Sequence, residues 1–150
     1  MWLLRNLAIA VLLGLALVPA VLPAGAETDR PADLVVCGDC DLTTIAEAVQ
    51  VASSGDRIEV RGGTYPGGLV IDTSIELIGI DRPVIDGEGQ GTLVAISAPD
   101  VTIDGFTLRN SGTSHDKEDS AILVDAPRAT IVNNTLEDVL FGVYLRRAPG

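Results

Sequence analysis

The sequence predicts an all-β solenoid, a right-handed parallel β-helix of three short sheets with a short N-terminal capping helix. Three observations point there. Residues 98–110 read Ala-Pro-Asp-Val-Thr-Ile-Asp-Gly-Phe-Thr-Leu-Arg-Asn, and residues 126–138 nearly repeat them as Ala-Pro-Arg-Ala-Thr-Ile-Val-Asn-Asn-Thr-Leu-Glu-Asp, an offset of 28 residues (126 − 98). Self-similarity on this scale marks stacked units that bury their apolar faces only against their neighbours. From residue 57 on, strand-like runs of three to six residues alternate with turn signals, and no helical stretch intervenes. The turn residues recur as well: Ile78-Gly79, Asp104-Gly105 and Val132-Asn133 stand at offsets of 26 (105 − 79) and 28 (133 − 105). Gly and Asn tolerate positive φ, so a tight bend is expected once per coil. A leucine-rich repeat would need a Leu and Asn signature that is absent here, and an antiparallel sandwich would not explain the repeat.

The elements follow in order. Residues 1–26 read as a secretory signal: Arg5 supplies the positive n-region, residues 6–18 are almost wholly apolar, and Ala24-Gly25-Ala26 is a small-x-small cleavage pattern. The apolar run is too short to span a bilayer, so a chain beginning near Glu27 is expected to be exported to an oxidising compartment and not to cross the membrane. Residues 27–56 form an N-terminal segment with Cys37, Cys40 and one helix, at 44–52. There Thr44 and Glu47 make a capping box, and Ile45, Ala48, Val49 and Ala52 lie on one face. Such a helix would cover the open end of a solenoid core. Residues 57–150 hold the coils, with strands at 58–60, 69–71, 75–78, 83–85, 93–96, 101–103, 106–108, 122–124, 129–132 and 141–145. Apolar residues alternate within them, as in Val101 and Ile103 or Ile122 and Val124, giving each strand one core face and one wet face. Asn134 stands where Phe106 stood, and an inward Asn at a coil corner is expected to bond to the backbone of the neighbouring coil. A third Ala-Pro, at Ala148-Pro149, opens a further coil, so the chain is expected to be a portion of a longer protein.

Past the signal the chain carries all 21 acidic residues and nine of the ten basic ones, a net charge of −12 (9 − 21). That argues against nucleic acid or an acidic membrane surface as partner, since both reward basic stripes. It suits solubility, cations or a basic protein.

Candidate sites are few. Cys37-Gly38-Asp39-Cys40 holds the chain's two cysteines, and three readings stay open: a structural disulfide, which leads in an exported chain, a redox pair near a helix start, or a soft-metal site, since two thiolates suit copper(I). His115, the single histidine, sits in the charged stretch 111–119 with Asp116, Lys117, Glu118 and Asp119. This stretch accounts for the 28-residue period. A loop extending from one corner of every coil is where solenoids place recognition, and a solvated tip is the plain alternative. One histidine and no methionine past the signal make a poor closed copper cage. Asp72, Asp86, Asp104 and Asp125 sit beside strands, where a polysaccharide-cleaving enzyme would keep paired carboxylates, but they read best as turn residues. Asn133-Asn134-Thr135 fits a glycosylation sequon that a buried coil corner also explains.

Three stretches together resemble one family. They are residues 79–87 with Pro83-Val84-Ile85-Asp86-Gly87, then Arg109-Asn-Ser-Gly-Thr-Ser with Glu118-Asp-Ser-Ala-Ile122, then residues 134–145, Asn-Thr-Leu-Glu-Asp-Val-Leu-Phe-Gly-Val-Tyr-Leu. These resemble the N-terminal portion of the NosD family, over residues 44–150. The resemblance implies a periplasmic, non-enzymatic accessory protein of nitrous oxide reductase maturation in denitrification. Its implied partners are nitrous oxide reductase, an ABC transporter (ATPase and permease) and a copper chaperone, with the loop at 111–119 meeting protein partners. Copper is the metal the resemblance brings in, with Cys37, Cys40 and His115 the candidate ligands in this chain; one histidine and no methionine past the signal point to copper ligands outside this segment, or to a protein that positions its partners without holding metal. The cysteine pair is not part of the family pattern. The rival reading is a carbohydrate-active β-helix, a lyase or esterase. It would need Arg, Lys or Ca²⁺ on a strand face, whereas past the signal the one lysine is Lys117 and the arginines are scattered. A redox module is third, without the βαβ context it would want.

Overall fold

The computed structural model describes residues 33–146; the signal-like residues 1–26 and the third Ala-Pro lie outside the described residues. The chain runs through β1 (Asp33–Val36), α1 (Ile45–Val51), β2 (Arg57–Val60), β3 (Thr64–Pro66), β4 (Leu69–Ile71), β5 (Glu76–Gly79), β6 (Val84–Asp86), β7 (Val94–Ile96), β8 (Thr102–Asp104), β9 (Thr107–Arg109), β10 (Ser120–Val124), β11 (Thr130–Val132), β12 (Thr135–Glu137) and β13 (Phe141–Leu145). β1 pairs in parallel with β2, and from β2 on every third strand pairs in parallel. The first sheet is β1-β2-β5-β8-β11, the second β3-β6-β9-β12 and the third β4-β7-β10-β13. That is a parallel β-solenoid of about five turns, with three sheets.

Register follows the inward side chains. Ile58 pairs with Leu77, Leu77 with Ile103 and Ile103 with Ile131 in the first sheet; Tyr65, Ile85, Leu108 and Leu136 stack in the second. In the third, Leu69, Val94 and Ile122 form the matching ladder, and Val143 continues the register as an exposed residue. Like thus stacks on like, and each fully buried Ile or Leu contributes roughly 1.5–3 kcal/mol of transfer free energy. A one-residue slip would turn every one of these side chains outward, so the apolar ladders hold the coils in register.

α1 closes the N-terminal end. Thr44 is its N-cap: Glu47 N donates to Thr44 Oγ1 (3.2 Å) and Thr44 N to Glu47 Oε2 (3.1 Å), the expected reciprocal box. Those bonds hold the Glu47 carboxyl below its usual range. Ile45, Ala48 and Val49 are buried in the same core cluster as the strands, against β1, β2 and β4.

The corners are less uniform than the repeat predicts. Gly105 (φ 83°) and Asn133 (φ 55°) do turn through positive φ. Gly79, their counterpart, does not; its coil bends through positive φ at Asp81 and Arg82. Gly79 is needed for close approach instead, since a Cβ there would lie 2.7 Å from Gly105 O. At the next level Asn134 reaches across the corner as expected: Phe106 N donates to Asn134 Oδ1 (2.9 Å), and Asn134 Nδ2 donates to Ile103 O (2.9 Å).

Candidate functional site

Chain-length variation is concentrated where the second sheet turns into the third. The connections there are residues 67–68, 87–93, 110–119 and 138–140. The extended connections belong to two neighbouring coils, and 110–119 is the longer of them. At its base Asp86 receives three hydrogen bonds, from Arg109 Nε (2.8 Å), Asn110 Nδ2 (2.9 Å) and Glu88 N (2.9 Å). Asn110 first, then the Glu88 amide and Arg109, hold this carboxyl below the usual aspartate range.

From there the loop folds on itself and onto both neighbours. Gly112 N donates to Gly91 O of the preceding coil (2.8 Å), and Leu140 N of the following coil donates to Ser111 Oγ (2.9 Å). Within the loop, Ser114 N donates to Asp119 Oδ2 (2.8 Å), Asp119 N to Ser114 O (3.2 Å) and Glu118 N to His115 O (3.1 Å). Ser111 and Asp119 are buried. This is a fastened loop with a small exposed tip.

The tip also covers the start of β13. His115 stands edge-on to Phe141, ring centroids 5.6 Å apart, and Phe141 packs tilted against Tyr144 at 5.4 Å. Arg146 Nε donates to Glu118 Oε2 (2.6 Å), and the Tyr144 phenol also bonds to Glu118. Arg146 first, then Tyr144, hold the Glu118 carboxyl below its usual range, while the same carboxylate pushes the Tyr144 phenol up.

The five loop candidates thus divide. His115, Asp116 and Lys117 are exposed, Glu118 is half-buried and paired, and Asp119 is buried and engaged with the loop's own backbone. The aromatic partners Phe141 and Tyr144 were missed by sequence reasoning. The register Ser120↔Phe141 is the signal that would have found them, because residues just before Ser120 must lie near the start of the next strand. The arrangement is a rigid patch of aromatic edges with one exposed anion and one exposed cation beside them, suited to contact rather than to proton transfer.

The other candidates lie elsewhere. Cys37 and Cys40 are joined in a disulfide between β1 and α1. Asp104 accepts from Asn133 Nδ2 (2.9 Å) and Asp72 from Thr73 Oγ1 (3.3 Å). Asp86 lies at the corner between the second and third sheets, Asp104 at that between the first and second, and Asp72 and Asp125 where the third sheet returns to the first. Among the described residues no group of three or more His, Cys, Asp or Glu is placed to hold a metal ion, and no helix is long and apolar enough to cross a membrane.

No protein-family profile matches the chain, and no solved structure matches it. Two curated proteins do, each named "Probable ABC transporter binding protein NosD". The one from Pseudomonas aeruginosa is 34% identical over 107 residues, 69% of this chain and 25% of that protein. The one from Stutzerimonas stutzeri is 36% identical over 92 residues, 60% of this chain and 21% of that protein. The chain, a parallel β-solenoid of stacked coils, is NosD-like: it is similar in sequence to these two proteins over a quarter or less of their length.

Proposed function

We propose that the chain is a docking scaffold for an ABC transporter in the periplasm, serving the assembly of the copper sites of nitrous oxide reductase with a copper chaperone as a further partner. On this reading residues 1–26 are removed on export, residues 27–56 close the solenoid and residues 57–150 present the coils. The observation that carries the proposal is the similarity to two proteins whose names assign them binding to an ABC transporter. The fastened loop supports it, because a docking surface held in one shape loses little conformational freedom on binding. His115, Asp116 and Lys117 are the side chains that this surface offers a partner. The carboxylates an enzyme would need are dispersed over three corners and engaged in turns, which favours a binding role over polysaccharide chemistry.

The test is deletion of the gene in its host, followed by purification of nitrous oxide reductase and measurement of its copper content and cluster absorption. A reductase lacking its copper–sulfur cluster is the expected result. A fully loaded, active reductase, or a host that makes none, would sink the proposal.

A further inference from the structure

The Cys37–Cys40 disulfide does little that the surrounding backbone does not already do. It closes a ring across a sequence separation of 3, the kind of ring that restrains an unfolded chain least. The loop around it is pinned independently. Cys37 N donates to Leu42 O (3.2 Å), Val36 and Leu42 form a parallel bridge, and Arg61 N donates to Val36 O (2.9 Å). On the far side, Thr43 N and Thr44 N both donate to Glu47 Oε2, at 3.3 and 3.1 Å. Val36 on one flank and Ile45 on the other are fully buried, whereas Cys37 and Cys40 are only half-buried and Gly38 and Asp39 are exposed. The pair therefore sits at the surface of an anchored loop, where its oxidation state can change without loss of the fold.

From this we propose that Cys37 and Cys40 form a reversible site that, when reduced, takes a single soft monovalent cation, Cu(I), between its two sulfurs. The Cα atoms are 5.1 Å apart, so both side chains already converge on one small volume. Two thiolates satisfy a cation that accepts two-coordination and prefers soft sulfur, whereas zinc would want four ligands. Cys40 lines an open hollow with Asp33, Asp39 and Asp41, an acidic rim that favours an arriving cation.

Reduction proceeds by exchange with an external dithiol. Its thiolate attacks one sulfur of the pair, forming a mixed disulfide and expelling the other sulfur as a thiolate. The donor's second thiol then resolves the mixed disulfide. Two electrons pass to the chain, two thiols form at Cys37 and Cys40, and the donor leaves oxidised. Binding of Cu(I) releases the two thiol protons. The site lies at the helix-capped end of the solenoid, apart from the loop at 111–119, and does not depend on the assembly reading.

The purified protein, reduced with a phosphine and kept anaerobic, is titrated with Cu(I) held by bicinchoninate. The reduced protein is expected to withdraw one Cu(I) per chain, and the oxidised protein and the Cys37→Ser/Cys40→Ser variant none. Circular dichroism of the reduced protein should retain the strand signal. A reduced chain that leaves the chelator loaded overturns the proposal. So does a double-serine variant that takes copper equally well, or a solenoid that unfolds on reduction. A loaded reductase in the deletion strain would leave this result standing, so the two proposals fail separately.

Discussion

Where the first sheet turns into the second, successive coils keep connections of two to four residues; where the second turns into the third, the connections run from two residues to ten. The first kind of corner spans residues 105–106 and 133–134 in the later coils, with Gly79 and Gly105 in contact and Asn134 bonded to the coil before it. The second kind spans two residues in one coil, 67–68, and the whole of 110–119 in another. A solenoid can vary only where a longer connection has solvent to enter. The difference separates a corner of nearly constant length from one that can lengthen and carry recognition.

The sharpest way to break this contrast is Gly105→Val. It places a Cβ against Gly79 O in a backbone at φ 83°, and is expected to cost about 3 kcal/mol. Gly89→Ala at the other corner has a similar φ of 76° but open space around it, and is expected to cost only about 1 kcal/mol. Urea midpoints of the two variants, measured side by side, check the pair; equal losses would show that φ alone matters.

Asn134→Ala is next. It leaves Phe106 N and Ile103 O without their partner, a loss of about 2 kcal/mol if no water replaces the amide. Hydrogen exchange at the Phe106 amide should quicken with it.

Excising residues 113–119, which takes the buried Asp119 out with its partner Ser114 and leaves a connection as short as 138–140, tests the second corner from the opposite side. The coil should survive with a loss of about 1 kcal/mol or less, because loop closure depends weakly on length. Unfolding of this variant would mean that the fastened loop belongs to the core.

The smallest effect is expected from acid. The folded-state pKa of Asp86 is depressed by Asn110, the Glu88 amide and Arg109. Its contribution is therefore fully present above the unfolded aspartate value of about 3.9 and is lost as pH falls through the lower folded value. The Asp86→Asn variant should show a shallower decline of urea midpoint below about pH 4 than the parent; an identical decline would remove Asp86 as the source.

The capping helix and the coils from residue 69 on were legible wherever the signal exceeded one turn or one strand. Thr44 with Glu47 located the helix, and residues 98–110 against 126–138 located the strands of two coils. Three strands were missed, β1, β3 and β12. β3 has three residues and points a single apolar side chain inward, Tyr65, so there is no alternation to count; β12 has the same form, but it matches residues 107–109 at the repeat's offset of 28, a signal that stood in the sequence. β1 is short and precedes the first coil, with no repeat to match. The site was less legible. Asp119 looks like a solvated charge in a run of charges, yet the turn of the loop buries it against Ser114. Gly79 looked like a bend residue and proved to be a contact residue. Both facts arise from what the adjacent coil places nearby.

Residues paired along the first sheet are between 19 (77 − 58) and 28 (131 − 103) apart, so no pairing reaches further than the adjacent turn. Each newly formed turn then needs only the edge of its predecessor as a template. Folding can advance as a zipper from the helix-capped end, with a constant entropic toll per step instead of one large closure. Such a growing front also copies its own mistakes. A slip at one turn would be inherited by every later one, so the bonds across Gly105 and Asn134 also proofread the winding of the chain.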